Sequence, residues 1–169
     1  MDAEGRRRAI AAELARAGAP LSAAALAARL GVSRQVIVGD VALLRASGME
    51  ITATPRGYVA GGGARGRRHT LACVHGPEGM ERELNIMVDN GCTVLDVVIE
   101  HAVYGQLTGE LHLKDRRDVA EFIRRVREEG AAPLSALTGG IHLHTLLCQD
   151  EGSFARCVDA LREAGILLE

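Results

Sequence analysis

The chain has 169 residues, 47% apolar and 25% charged, and its only large aromatic side chains are Tyr58, Tyr104, Phe122 and Phe154. That length admits one large or two small globular domains, and the composition excludes a disordered chain, a collagen-like repeat and a disulfide scaffold. The net charge is -2, no run of about 18 apolar residues offers a membrane span, and Arg6, Arg7 and Arg8 lead into no apolar signal segment, so a cytoplasmic protein with no membrane partner is expected.

The charge is unevenly divided. Residues 1–68 carry eleven Arg and no Lys against five acidic residues, a net +6, which leaves -8 for the remainder. Opposite signs suggest two domains with different partners, and the basic half is the candidate for a polyanion. In that half Ile10, Leu14 and Ala17 recur at helical spacing until Ala19-Pro20 stops the helix. Ser22 then caps a helix over Ala23 to Leu30, Gly31 supplies the C-terminal turn, and Ser33 caps a third helix reaching about Ser47. On this third helix Ile37, Val41 and Leu44 form the buried face, leaving Arg34, Gln35, Val38, Ala42 and Arg45 turned outwards. Ser33, Arg34, Gln35, Val38 and Arg45 are accordingly the candidate DNA contacts of a recognition helix. After Gly48 the period falls to two around the turn Thr54-Pro55-Arg56-Gly57, which makes a wing with Arg56 at its tip, against phosphate or minor groove. Residues 1–60 therefore read as a winged helix-turn-helix domain, and the Gly- and Arg-rich stretch 61–68 as a flexible linker.

Residues 69–169 alternate strands and helices. Strands are expected at His69 to His75, Val94 to Val103, Leu107 to Leu113 and His142 to Leu147, and helices after Pro77, from Asp115 and from Glu151. This order predicts an α+β fold with helices on one face of a mostly antiparallel sheet. Cys73, Cys92, Cys148 and Cys157 have no C-x-x-C spacing and read as small buried hydrophobes.

The chemistry concentrates at Ile141-His142-Leu143-His144-Thr145. On a strand His142 and His144 face one side about 6.6 Å apart, within the span of a single ion, with Ile141 and Leu143 expected to face the core. His75 at the end of the first strand and Glu83 eight residues later complete a candidate set of three imidazoles and a carboxylate. Such a set suits Zn, Ni, Fe or Mn and suits Ca or Mg poorly. His101 reads either as a group contacting a ligand near the metal or as a half-buried histidine bonded to a carbonyl. His69 and His112 read as solvated.

Four motifs occur in order: Ser33-Arg34-Gln35-Val36-Ile37-Val38; Ala53 to Val59; Val98-Ile99-Glu100-His101 with Val103-Tyr104-Gly105; and Gly139 to Thr145. Together they resemble the bacterial niacin-responsive transcription repressors, which join a biotin-repressor-type helix-turn-helix to a 3H domain. The resemblance implies a non-enzymatic, homodimeric repressor of genes for niacin uptake and NAD synthesis, with nicotinic acid as co-repressor. It also implies that the second domain is an open-faced α/β sandwich like a small phosphocarrier protein. One divalent transition metal per chain, Ni or Zn first, would be held by His75, Glu83, His142 and His144, with His101 and Tyr104 as ligand contacts. Two positions depart from the family pattern, Gly39 where Gln is common and Ala102 where Pro is common. The competing readings are a metal-dependent enzyme acting on a small pyridine or carboxylate, fused to a DNA-binding domain, and a second domain serving dimerisation only.

Overall fold

The computed structural model describes residues 1–61 and 66–169, which form two compact units, one on each side of the stretch between them. The first unit contains helices α1 (Ala3–Arg16), α2 (Ala23–Leu30) and α3 (Arg34–Ala46) and the hairpin β1 (Ile51–Thr54) and β2 (Gly57–Ala60). Its helix starts are set locally. The side chains of Asp2, Ser22 and Ser33 each accept a backbone N–H three residues on, and Gly31 ends α2 in the left-handed region at φ 65°. Ile10, Leu14, Leu26, Ala27, Ile37, Val41 and Ile51 make the core of this unit. Leu21 pairs with Tyr58 as a bridge beside the wing, and Gly57 lies so close to Leu21 that an added Cβ would come within 2.4 Å of its carbonyl. A side chain there would push the wing off the helices.

The second unit contains β3 (Arg67–Val74), α4 (Met80–Asp89), β4 (Cys92–His101), β5 (Gly105–Leu113), α5 (Arg116–Glu128), β6 (Ile141–Cys148) and α6 (Glu151–Glu163), with 3-10 turns at Pro77–Gly79 and Leu134–Thr138. The four strands run in the order β3-β6-β4-β5, and all three pairings are antiparallel. Leu84, Met87 and Val88 of α4, Val119 and Ile123 of α5, and Cys157 and Leu161 of α6 share one core with Leu71, Cys73, Cys92, Val94, Leu111, Leu113, Leu146 and Cys148 of the sheet. The helices thus cover one sheet face. On the other face Ala72, Leu143, Val98 and Thr108 form a cross-strand row, so the sandwich is open-faced, as expected.

Three expectations are corrected. The linker expected over 61–68 has residues 62–65 outside the described part, and its end is strand: Arg67 and Arg68 pair with Cys148 and Leu147. Charge is tolerated there because β3 borders the sheet, and Arg67 meets Glu151 at 3.0 Å. The second correction concerns the parity of β6. Ile141 is half exposed while His142 and His144 are buried on the helix-covered face, the reverse of the expected orientation. Leu146 and Cys148 share the histidines' side and supply the apolar contact with the helices. Finally, His69 is not solvated: its ring stacks on Phe154 at 4.0 Å between centroids. No helix among the described residues is long and apolar enough to cross a membrane.

Candidate metal centre and nucleic-acid interface

His142 and His144 stand on β6, the strand flanked by β3 and β4, so their backbone is held from both sides. Glu83 reaches them from the first turn of α4, and His75 from the loop after β3. The four side chains named from the sequence meet. Oε2 of Glu83 lies 2.7 Å from His75 Nε2 and 3.4 Å from His144 Nε2, and Oε1 lies 2.9 Å from His142 Nε2. Glu83 is only 1% exposed. Burial by itself would push its carboxyl up, but the surrounding imidazoles of His142, His144 and His75 outweigh burial and hold it below the usual carboxylate range. The Glu83 hydrogen bond in turn raises the pKa of His75 against the opposing effect of burial.

The opposite ring nitrogens fix the tautomers. His75 Nδ1 faces the Gly76 carbonyl at 2.7 Å, His142 Nδ1 the Gly140 carbonyl at 2.8 Å, and His144 Nδ1 the Asp96 carbonyl at 2.6 Å. A carbonyl only accepts, so each Nδ1 carries a proton and donates it. In the neutral rings all three Nε2 lone pairs then converge on a carboxylate that itself only accepts. Such a group is at rest only with extra protons or with a cation among the lone pairs. Metal-binding histidines are oriented in this same way, by a carbonyl or carboxylate behind the ring. His144 Nε2 is buried and makes the weakest of the three contacts, its 3.4 Å approach to Glu83 falling short of a well-formed hydrogen bond.

Several parts of this centre carry no signal in the sequence. A register shift between Val94 and Asp96 makes a bulge in β4, which brings the Asp96 carbonyl to His144 while the Asp96 carboxylate accepts the Thr145 N–H at 2.9 Å. Cys73, the cross-strand partner of His142, has its sulfur within 4.8 Å of ligand atoms of both Glu83 and His142. Burial, then the Glu83 charge, raise the pKa of this thiol and keep it protonated. It is a core residue, as read from the sequence, and also a neighbour of the centre.

His101 and Tyr104 are not brought to the quartet. Val97 is the residue opposite His144, and His101 lies four positions further along β4, about 13 Å at strand rise. His101 instead holds the β4–β5 turn: its Nδ1 accepts the N–H groups of Val103 and Tyr104 at 3.1 and 3.2 Å, and the two rings lie 5.1 Å apart. His112 meets Glu110 at 2.9 Å and sits in the left-handed region at φ 53°, beside the bulge rather than the quartet.

In the first unit Ser33 caps α3, and Arg34 and Gln35 are exposed at its N-terminal end, as a base-reading helix requires. Val38 is half-buried rather than turned fully outwards, on the flank of α3 next to Val41, while Asp40 is buried on the opposite flank. Asp40 is 4% exposed and is met by Arg6 at 2.5 Å and Arg7 at 3.6 Å. Part of the basic charge therefore ties α1 to α3. Arg45 donates from Nε to the Ile51 carbonyl at 2.8 Å and lies over the Tyr58 ring, so it joins α3 to the wing. Arg56 occupies the wing turn, half-buried, with its backbone N–H on Thr54 Oγ1. The outer surface of α3 also shows Val36 at 37% and Leu43 at 54% exposure, which the helical periodicity did not single out. A Cβ at Gly39 would meet nothing within 4 Å, so its departure from the family pattern alters a surface and not the core.

Comparison with known proteins agrees with this layout. The family model of an HTH domain matches residues 6–59, and that of the 3H domain matches residues 68–169. The chain is 46% identical over 154 residues to the transcription repressor NadR of Bacillus subtilis, covering 89% of this chain and 86% of that protein. It is 42% identical over 164 residues to the probable transcription repressor NiaR of Thermotoga maritima, covering 97% and 94%. With both domain models matched in order and two repressors aligned along nearly their whole length, the chain belongs to the niacin-responsive transcription repressors, non-enzymatic DNA-binding regulators that join a helix-turn-helix domain to a 3H domain.

Proposed function

We propose that this repressor controls genes of niacin uptake and NAD synthesis, that nicotinic acid is its co-repressor, and that His75, Glu83, His142 and His144 hold one divalent transition metal, Ni or Zn, in each chain of a homodimer. The observation that carries the metal reading is the convergence of three Nε2 lone pairs on Glu83 with every Nδ1 already committed to a carbonyl. Ligand atoms at about 2.1 Å from one ion lie about 3.0 to 3.4 Å apart at octahedral to tetrahedral angles, close to the nitrogen–oxygen separations of the quartet. A set of three nitrogens and a carboxylate favours borderline transition metals over Ca and Mg. Bound there, the ion would supply a positive anchor for the ring nitrogen or the carboxylate of an anionic pyridine carboxylate. The protein's own part is to fix the three ring orientations through the Gly76, Gly140 and Asp96 carbonyls.

A homodimer matches the two half-sites that helix-turn-helix proteins read about one turn of DNA apart. Nicotinic acid acts as co-repressor only by binding the DNA-competent arrangement better than the other, and a typical coupling of about 1–3 kcal/mol appears as roughly 5- to 150-fold tighter operator binding. The test is to titrate labelled operator with and without nicotinic acid, before and after chelation. The expected result is tightening by nicotinic acid that disappears with the metal and is weaker with nicotinamide. No ligand effect on the metal-loaded protein overturns the co-repressor reading, and an undiminished effect after verified metal removal overturns the metal's part in it.

A further inference from the structure

His75 differs from the other members of the quartet in what holds it. His142 and His144 belong to a strand paired on both sides, and Glu83 to a helix. His75 lies past the last residue of β3 and before the 3-10 turn at Pro77–Gly79, outside any regular element. Its ring is nevertheless well buried, with the side chain 10% exposed. Two glycines enclose it. Behind its main chain lies Gly140, where an added Cβ would come within 2.4 Å of the His75 carbonyl oxygen. The Gly140 carbonyl also accepts the His75 N–H, at 3.4 Å, and the Nδ1–H of His142. Against its ring lies Gly79, where a Cβ would stand 2.8 Å from Cγ and Nδ1 and 2.9 Å from the Cβ of His75. The last of these atoms is fixed to the backbone, so rotating the ring cannot relieve the clash.

We propose that Gly79 and Gly140 are positioning residues for the metal centre: the missing side chains at these two positions leave the slot in which His75 presents Nε2 to Glu83. The proposal rests on the quartet being a metal site. Gly79 separates this role from a general need of the fold for glycine. Its φ of -81° and ψ of -13° are ordinary helical values, so the backbone conformation itself does not call for glycine there and only the approach of His75 does. Gly140, at φ 95°, would be strained by any side chain and cannot make that separation.

The experiment titrates metal-free full-length protein with Co2+, followed by visible absorption, for the wild type, Gly79→Ala, His75→Ala and the double variant, alongside thermal unfolding of each in chelator. The expected result is a 10- to 100-fold weaker Co2+ affinity in Gly79→Ala, the range typical of losing a group that orients a ligand, with a single cooperative unfolding transition retained in chelator. In the His75→Ala background Gly79→Ala should change the affinity no further. Wild-type affinity in Gly79→Ala overturns the proposal. So does an equal further loss of affinity in the His75→Ala background, which assigns Gly79 to the fold. Absence of Co2+ binding by the wild type is a separate outcome, seen before any variant is compared, and it overturns the metal reading together with this proposal.

Discussion

Glu83→Gln isolates the charge at the heart of the quartet with little change of shape. Glu83 is the only anionic member of the set and lies against all three Nε2 atoms. The glutamine amide can turn its N–H groups toward the same lone pairs, so the metal-free fold is expected to survive. An ion bound only by the folded state stabilises it by RT ln(1 + [L]/Kd), which is about 2.7 kcal/mol at a free-ion concentration one hundred times Kd. For a unit of about a hundred residues at about 4 °C per kcal/mol, that is a rise of about 10 °C in Tm. Losing a group that merely orients a ligand costs up to about a hundredfold in affinity, and losing the anionic ligand itself should cost at least as much. At the same ion concentration the variant would then sit near its Kd and gain only about 0.4 kcal/mol, a rise of less than about 2 °C. Thermal unfolding with Ni2+ or Zn2+ and with chelator, in wild type and Glu83→Gln, measures both differences. Equal metal-dependent rises in the two proteins would refute the placement of the ion at this carboxylate.

The metal-free protein should be most stable between the ordinary values of 4.5 for Glu83 and 6.5 for His75. The raised His75 value gives stability that is full below 6.5 and lost as pH rises from there through the raised folded value, whereas the lowered Glu83 value gives stability full above 4.5 and lost as pH falls from there toward the lowered folded value. Because metal binding needs deprotonated imidazoles, the metal-dependent rise in Tm should be larger at pH 8 than at pH 5, and a rise independent of pH would contradict the ligand set. In the first unit, Asp40→Ala removes the partner that holds Arg6 and Arg7 against α3 and should lower stability, measurable as a lower midpoint of denaturant unfolding. Arg34→Ala should relax preference at one base pair by about 1–3 kcal/mol, while Arg56→Ala should weaken binding evenly and lower the salt slope by about 1; binding to operators mutated base by base distinguishes them. His69→Ala removes a stacked ring from Phe154 and should cost about 0.5–1.5 kcal/mol while leaving metal content unchanged, so metal loss in that variant would show that the centre extends beyond the quartet.

What the sequence determined by itself is what depends on neighbours along the chain. Ser22 and Ser33 cap because their hydroxyls reach N–H groups three residues away, and the same holds for Asp115 and Asp150 at α5 and α6. The alternation of β6 put His142 and His144 on one face for the same reason, since a strand's period of two needs no partner. Together with the resemblance to its family, this was enough to name the four members of the quartet. Which face they share was a tertiary decision: Ile141 and Leu143 offer as much apolar surface as Leu146 and Cys148, and only the arrival of α4 and α6 made the histidine side the buried one. The orientation of each ring was decided in the same way. The Asp96 carbonyl reaches His144 from 48 positions away through a bulge that no residue type announces. Arg6 and Asp40, 34 positions apart, likewise remove from the DNA surface a charge that composition counts as available. For His101 the sequence gives type and company but not distance from the quartet, which the run of β4 past the residue opposite His144 decides. Gly140 reads as a turn residue until His75, 65 positions earlier, is folded against it. Local hydrogen-bond geometry and side-chain periodicity are written residue by residue, whereas the close approach of two backbones appears only once packing has brought distant segments together.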